Sequence, residues 1–251
     1  MKTRLLFAFA SLLLAGCASF SAPESFRYRE IDTEFFRLAS WQKLTDVSKP
    51  LRVYIEGDGY AFNAHGRPSS NPTPRETDFR ALAFGDPHAN VVYLARPCQY
   101  VEDSRCNRSY WSTARFSSEV IASVSKALEA LAGRRPITLI GYSGGAQVAG
   151  LAAVTDKKLD VRKIVTIAGN LDHQAWCRHH KLPLLNQSLD LTRYWSDFEK
   201  IEQTHFLCDD DEVIPAAITL RKLGPQAHVV HLPEATHSRG WLKFSELIYA
   251  Q

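Results

Sequence analysis

The chain has 251 residues, of which 45% are apolar and 23% charged; this is globular usage for a domain of ordinary α/β size and excludes a disordered or low-complexity chain. The formal charge of +3 falls to +1 once Lys2 and Arg4 at the extreme N-terminus are set aside, which excludes the strong basic field of a nucleic-acid binder. No uninterrupted run of about eighteen apolar residues occurs, so a spanning helix is not expected.

The first element in chain order is an export signal. Lys2 and Arg4 precede the apolar run Leu5 to Leu14, which is too short to span a bilayer and has the basic-then-apolar order of a secretory signal peptide over residues 1–16. The junction Leu14-Ala15-Gly16-Cys17 resembles the lipobox of bacterial lipoproteins. That resemblance implies cleavage before Cys17 and acylation of Cys17, with each buried methylene adding roughly 0.8 kcal/mol to membrane affinity. Ala18 rather than Asp follows the cysteine, which by the same resemblance implies the outer membrane, facing the periplasm. Residues 17–25 are then a lipidated N-terminus and short polar tether, and 26–251 the folded domain.

Export sets the reading of the other cysteines. Cys98, Cys106, Cys177 and Cys208 are an even number in an oxidising compartment, which favours disulfides. Cys98 and Cys106 lie close together in a polar loop and are the expected pair; Cys177–Cys208 follows by elimination. No CxxC occurs and His179-His180 lack suitably spaced partners, so neither a metal nor a cofactor is expected.

The body alternates strands and helices. Short apolar/polar alternations over 26–44 read as antiparallel edge strands. β-rich runs follow at 51–55, 90–94, 137–140, 161–167, 205–207 and 228–232. Helical patterns fill 75–84, 144–153, 215–222 and 238–249, and Phe116, Val120, Val124, Leu128 and Leu131 recur at helical spacing. Strands in alternation with helices predict a mostly parallel sheet covered on both faces. Residues 172–200 fit no element cleanly and stand where a lid would be inserted.

The chemistry centres on Gly141-Tyr142-Ser143-Gly144-Gly145, directly after a predicted strand and opening a helix rich in Gly and Ala. A strand that turns at once into a helix strains its middle residue and lifts the side chain into a cleft, and the flanking glycines leave room for neighbouring backbone. A serine hydroxyl there needs a base, and the base needs an orienting acid. Downstream lie Cys208-Asp209-Asp210-Asp211-Glu212-Val213-Ile214-Pro215 and Ala235-Thr236-His237-Ser238. With these motifs the sequence resembles the α/β-hydrolase family from about residue 51 onward. The resemblance implies Ser143 as nucleophile, Asp211, four residues before Pro215, as acid, and His237 as base. Cys208 departs from the glycine usual in that pattern. Asp209, Asp210 and Asp172 are the competing acids. His205, His228 and His231 fall within strands and read as packing or surface residues.

In the same family the oxyanion is held by the N–H after the nucleophile, here Gly144, and by a loop after an early strand. That loop reads Glu56-Gly57-Asp58-Gly59-Tyr60, which aligns Asp58 as the second donor with Gly59 next; Glu56 stands where many relatives have His. Backbone N–H groups do this work, so the substitution leaves the loop's role intact. The stretch Ala168-Gly169-Asn170-Leu171-Asp172, with Trp176, further resembles a group of bacterial lipoprotein hydrolases of undefined substrate. The expectation is a lipid-anchored serine hydrolase acting on a small-molecule ester or thioester through an acyl-enzyme. The alternative is a non-catalytic envelope lipoprotein that binds a partner on a hydrolase scaffold.

Overall fold

The computed structural model describes residues 21–251. The signal expected over 1–16 and the lipidation site Cys17 lie outside the described residues. Among the described residues no helix is long and apolar enough to cross a membrane.

The strands are β1 (Arg27–Asp32), β2 (Arg37–Leu44), β3 (Leu51–Ile55), β4 (Asn90–Leu94), β5 (Ile137–Tyr142), β6 (Val161–Ile167), β7 (Glu202–Leu207) and β8 (His228–His231). They form one sheet in the order β1-β2-β4-β3-β5-β6-β7-β8. β1 and β2 pair antiparallel, β2 joins β4 antiparallel, and every other pairing is parallel. The helices are α1 (Asp78–Gly85), α2 (Ser118–Ala132), α3 (Gly144–Thr155), α4 (His173–His179), α5 (Trp195–Phe198), α6 (Ala216–Leu220) and α7 (Ser245–Tyr249).

Alternate residues of the central strands feed two cores. Leu51, Val53, Val92, Leu94 and Leu139 pack with α2 and α3 on one face. Tyr54, Val91, Tyr93, Ile140, Val165 and Phe206 pack with α1, Trp241 and α7 on the other. Because both faces are covered, β3 and β4 are buried at every position, as parallel strands in a layered domain must be. The helices thus stand on the flanks, and the carboxyl ends of β3, β5, β6 and β7 open together at one edge of the sheet, where α/β folds place ligands.

Cys98 and Cys106 form a disulfide, with their Cα atoms 5.7 Å apart. The expected Cys177–Cys208 bridge is a correction: both are buried free thiols. Cys177 belongs to the core on the α2/α3 face and Cys208 to the opposite core, so the sheet stands between them. Segment 172–200 is fastened to the flank of α3. A Cβ placed on Gly150 of α3 would lie 2.6 Å from Leu191 and 3.0 Å from Phe198, so the missing side chain is what lets the segment seat there.

Candidate active site

Ser143 sits between β5 and α3 with φ 51° and ψ −121°, in the left-handed region that an L-residue avoids. Its surroundings hold it there. The Ser143 N–H donates to the Ile167 carbonyl at 3.0 Å, and the Ser143 carbonyl accepts from the Asn170 N–H at 3.0 Å. The glycines around it are sterically required. A Cβ on Gly141 would lie 2.6 Å from the Ala146 Cα, and one on Gly145 would lie 2.3 Å from the Ile55 carbonyl oxygen.

His237, in the loop after β8, brings its Nε2 to 3.1 Å from the Ser143 Oγ. Its Nδ1 lies 2.8 Å from the Asp211 Oδ2. The other oxygen of Asp211 accepts the N–H groups of Val213 and Ile214, each at 2.8 Å, so a buried carboxylate is fully engaged and has one orientation. The imidazole is fixed from behind as well. The His237 carbonyl accepts from the Tyr142 hydroxyl at 2.9 Å and the Trp241 Nε1 at 3.1 Å, and the Tyr142 ring lies 5.4 Å from the imidazole. Nothing in the sequence pattern pointed to Tyr142 or Trp241; Tyr142 occupies the free position of G-x-S-x-G.

The competing acids stand elsewhere. Asp209 pairs with His231 at 2.5 Å on the surface. Asp210 is exposed. Asp172 caps α4, its Oδ1 accepting the Ala175 N–H at 2.8 Å. His205 is buried inside β7 between Thr166 and Gln203, and burial pulls its pKa down to about 4.

The loop after β3 packs against Ser143, and the contacts of its Asp58 side chain were not legible beforehand. A Cβ on Gly144 would fall 2.2 Å from the Asp58 Oδ1, so the Asp58 carboxylate lies against the backbone at the start of α3. Arg115 Nη1 donates to Asp58 Oδ2 at 2.6 Å and Arg96 Nη1 to Asp58 Oδ1 at 3.3 Å. Burial alone would push the Asp58 carboxyl up, but the two guanidiniums prevail and hold it below the ordinary carboxylate range. Asp58 and Gly144, the two expected oxyanion donors, line the same cleft as Ser143. Gly59, at φ 63°, makes the turn; a Cβ there would strike the Pro72 carbonyl at 2.1 Å. Gln99 next to the disulfide donates to the Gly57 carbonyl at 3.0 Å, which ties the Cys98–Cys106 loop to this one. Glu56 is buried; burial raises its pKa, against hydrogen bonds from the Tyr93 hydroxyl at 2.5 Å and the Gly57 N–H at 2.8 Å.

Ser143, His237, Gly144, Asp58 and Gly59 all line one cleft of about 390 Å³. Its walls also carry Phe62, Phe79, Arg115, Asn170, Trp176 and Ile214. Trp176 comes from the expected lid segment, and its Nε1 donates to the Val213 carbonyl at 2.7 Å beside the acid loop. The contact of His237 Nε2 with the Ser143 Oγ can deprotonate a hydroxyl there.

No protein-family model matches this sequence. No curated protein matches it. Solved structures do resemble the fold. An α/β serine hydrolase without a lid from Xanthomonas campestris superposes with a TM-score of 0.56 at 14% identity, over 91% of this chain and 94% of that one. An esterase from Pyrococcus furiosus gives 0.60 at 16% identity, over 90% and 88%. The esterase domain of a Rhodothermus marinus protein gives 0.61 at 13% identity, over 89% and 94%. The strand order, the turn at Ser143 and these likenesses together establish that the chain has the α/β-hydrolase fold.

Proposed function

We propose that the protein is a serine hydrolase that cleaves an ester or thioester through an acyl-enzyme. The observation that carries this reading is the continuous chain from Ser143 Oγ to His237 Nε2, and from His237 Nδ1 to Asp211 Oδ2, at the base of an open cleft. In the first half-reaction His237 takes the Ser143 proton as Oγ attacks the acyl carbonyl. The tetrahedral oxyanion lies against the Gly144 and Asp58 N–H groups. The imidazolium, stabilised by Asp211, then passes its proton to the departing alcohol or thiol. In the second half-reaction water repeats the cycle and frees the acid.

The lipoprotein-like N-terminus supports a bacterial envelope location, with acylated Cys17 holding the domain at the outer membrane on its periplasmic side. A chain bridged at Cys98–Cys106 suits that compartment. Hydrolysis of 4-nitrophenyl butyrate and a butanoyl thioester by the domain lacking residues 1–17 tests the activity. Turnover that vanishes in Ser143→Ala supports the reading. Equal turnover in both would show that Ser143 is not the nucleophile.

A further inference from the structure

We propose that the acyl part of the substrate carries a carboxylate and that Arg115 receives it. The proposal rests on the serine-hydrolase reading above and names the substrate class of that same cleft. Arg115 is buried in the cleft wall at 5% exposure. Its Nε donates to the Ser112 carbonyl at 2.7 Å and its Nη1 to Asp58 at 2.6 Å. Nη2 makes no hydrogen bond among the described residues. The guanidinium lies 5.4 Å from the Phe62 ring centre and 5.7 Å from that of Trp176, so two aromatic walls flank it and limit its access to water.

Charge counting points the same way. Arg115 and Arg96 share one carboxylate, that of Asp58. The other acids of the cleft are committed or remote. Glu56 is bound to Tyr93 and the Gly57 N–H and faces both Arg80 and Arg96. Asp211 is held by His237 and two backbone N–H groups. Glu76 lies on the exposed rim, where water screens it. Among the described residues the ion pair of Arg115 is with Asp58, a carboxylate that Arg96 shares.

An aliphatic acyl chain would leave the unused Arg115 donor with no partner on the substrate. The side of the cleft decides which half of the substrate is concerned. His237 must face the leaving group, to which it hands a proton. Arg115 is attached to Asp58, which lies against Gly144, and so stands on the oxyanion side with the acyl part.

The test compares 4-nitrophenyl hemiglutarate and hemiadipate with their methyl-capped counterparts, after subtraction of spontaneous hydrolysis. A charge-assisted hydrogen bond predicts kcat/KM at least about tenfold higher for the free carboxylates. Arg115→Met should bring that ratio towards one and Arg115→Lys should keep part of it. The double variant Asp58→Asn/Arg115→Met removes both charges, so a collapsed ratio there is not the effect of a stranded buried carboxylate. Using a ratio cancels any loss shared by both substrates. Equal kcat/KM for both substrates in the native protein would overturn the proposal. So would a ratio that survives Arg115→Met, because the guanidinium would then serve only to hold the Asp58 loop. A fluorophosphonate separates the two levels: labelling of Ser143 without carboxylate preference overturns this proposal alone, whereas no labelling and no turnover overturns the hydrolase reading beneath it.

Discussion

Replacing Asp211 by Asn perturbs the site without emptying it. The Asn oxygen can keep the two 2.8 Å bonds from the Val213 and Ile214 N–H groups, which are short, local and buried. The amide nitrogen then faces His237 Nδ1, where Oδ2 stood at 2.8 Å. An N–H donor there requires Nδ1 to be the acceptor, which places the ring proton on Nε2, facing Ser143 at 3.1 Å. An imidazole in that tautomer cannot take the serine proton. The expected loss in kcat is about 10⁴-fold, equivalent to about 5 kcal/mol in the barrier. Folding stability should fall by no more than about 1 kcal/mol, because both backbone N–H groups stay satisfied. The assay is turnover of a small nitrophenyl ester beside thermal unfolding of the same samples. Asp172→Asn is the control: Asn is as good an N-cap as Asp, so α4 keeps its start and activity stays within about tenfold. The reasoning fails if Asp211→Asn retains activity within tenfold. It fails equally if Asp172→Asn is the dead variant while its unfolding is unchanged.

Gly144→Ala puts a Cβ 2.2 Å from the Asp58 Oδ1 and must displace a loop held by two guanidiniums; kcat should fall about 10²–10³-fold, the scale of losing one oxyanion donor, with little change in unfolding temperature. Opening the Cys98–Cys106 bridge by Cys98→Ala/Cys106→Ala should lower stability by roughly 2–3 kcal/mol on the loop-entropy account, read by denaturant unfolding. It should also lower activity, because Gln99 would release the Gly57 carbonyl. His205 gives a pH signature. Its pKa is pulled from 6.5 to about 4 in the folded chain, so below pH 6.5 the unfolded state binds the proton first. Its contribution is therefore complete above pH 6.5 and is lost as the pH falls towards 4. The stability profile of His205→Gln should be flatter across that window, and an unchanged slope would contradict the assignment. In cells, Cys17→Ser should lose acyl labelling and membrane retention, while a membrane-bound Cys17→Ser protein would refute the anchor.

The sequence showed most where local rules govern. The runs 51–55, 90–94 and 161–167 are strands with the expected bounds, because each is a short β-rich stretch ended by turn residues. Ser143 was readable because its turn needs glycines at fixed offsets, whereas Asp211 and His237 were expected through the α/β-hydrolase resemblance; the three side chains meet in the structure. Helix bounds were less accurate. The helix expected from 75 starts at Asp78. The one expected over 238–249 is broken by Gly240 at φ 92°, after which a 3₁₀ turn at Trp241–Phe244 leads into α7. Pairings across the sheet left no local trace. Cys177 and Cys208 are an arithmetical pair, yet they lie in opposite cores. Arg115 and Asp58 are 57 residues apart and meet because the segment before α2 and the loop after β3 line the same cleft. The Asp58 backbone could be anticipated, but its carboxylate clamp could not.

The central claim is that Ser143 is an activated nucleophile. Its most direct test is reaction of the folded domain, lacking residues 1–17, with a fluorophosphonate, followed by mass spectrometry of the peptides. The account predicts one stoichiometric adduct, on Ser143, absent in Ser143→Ala and strongly slowed in His237→Ala and Asp211→Asn. Folded protein that takes up no probe, or an adduct on a different serine, would contradict it.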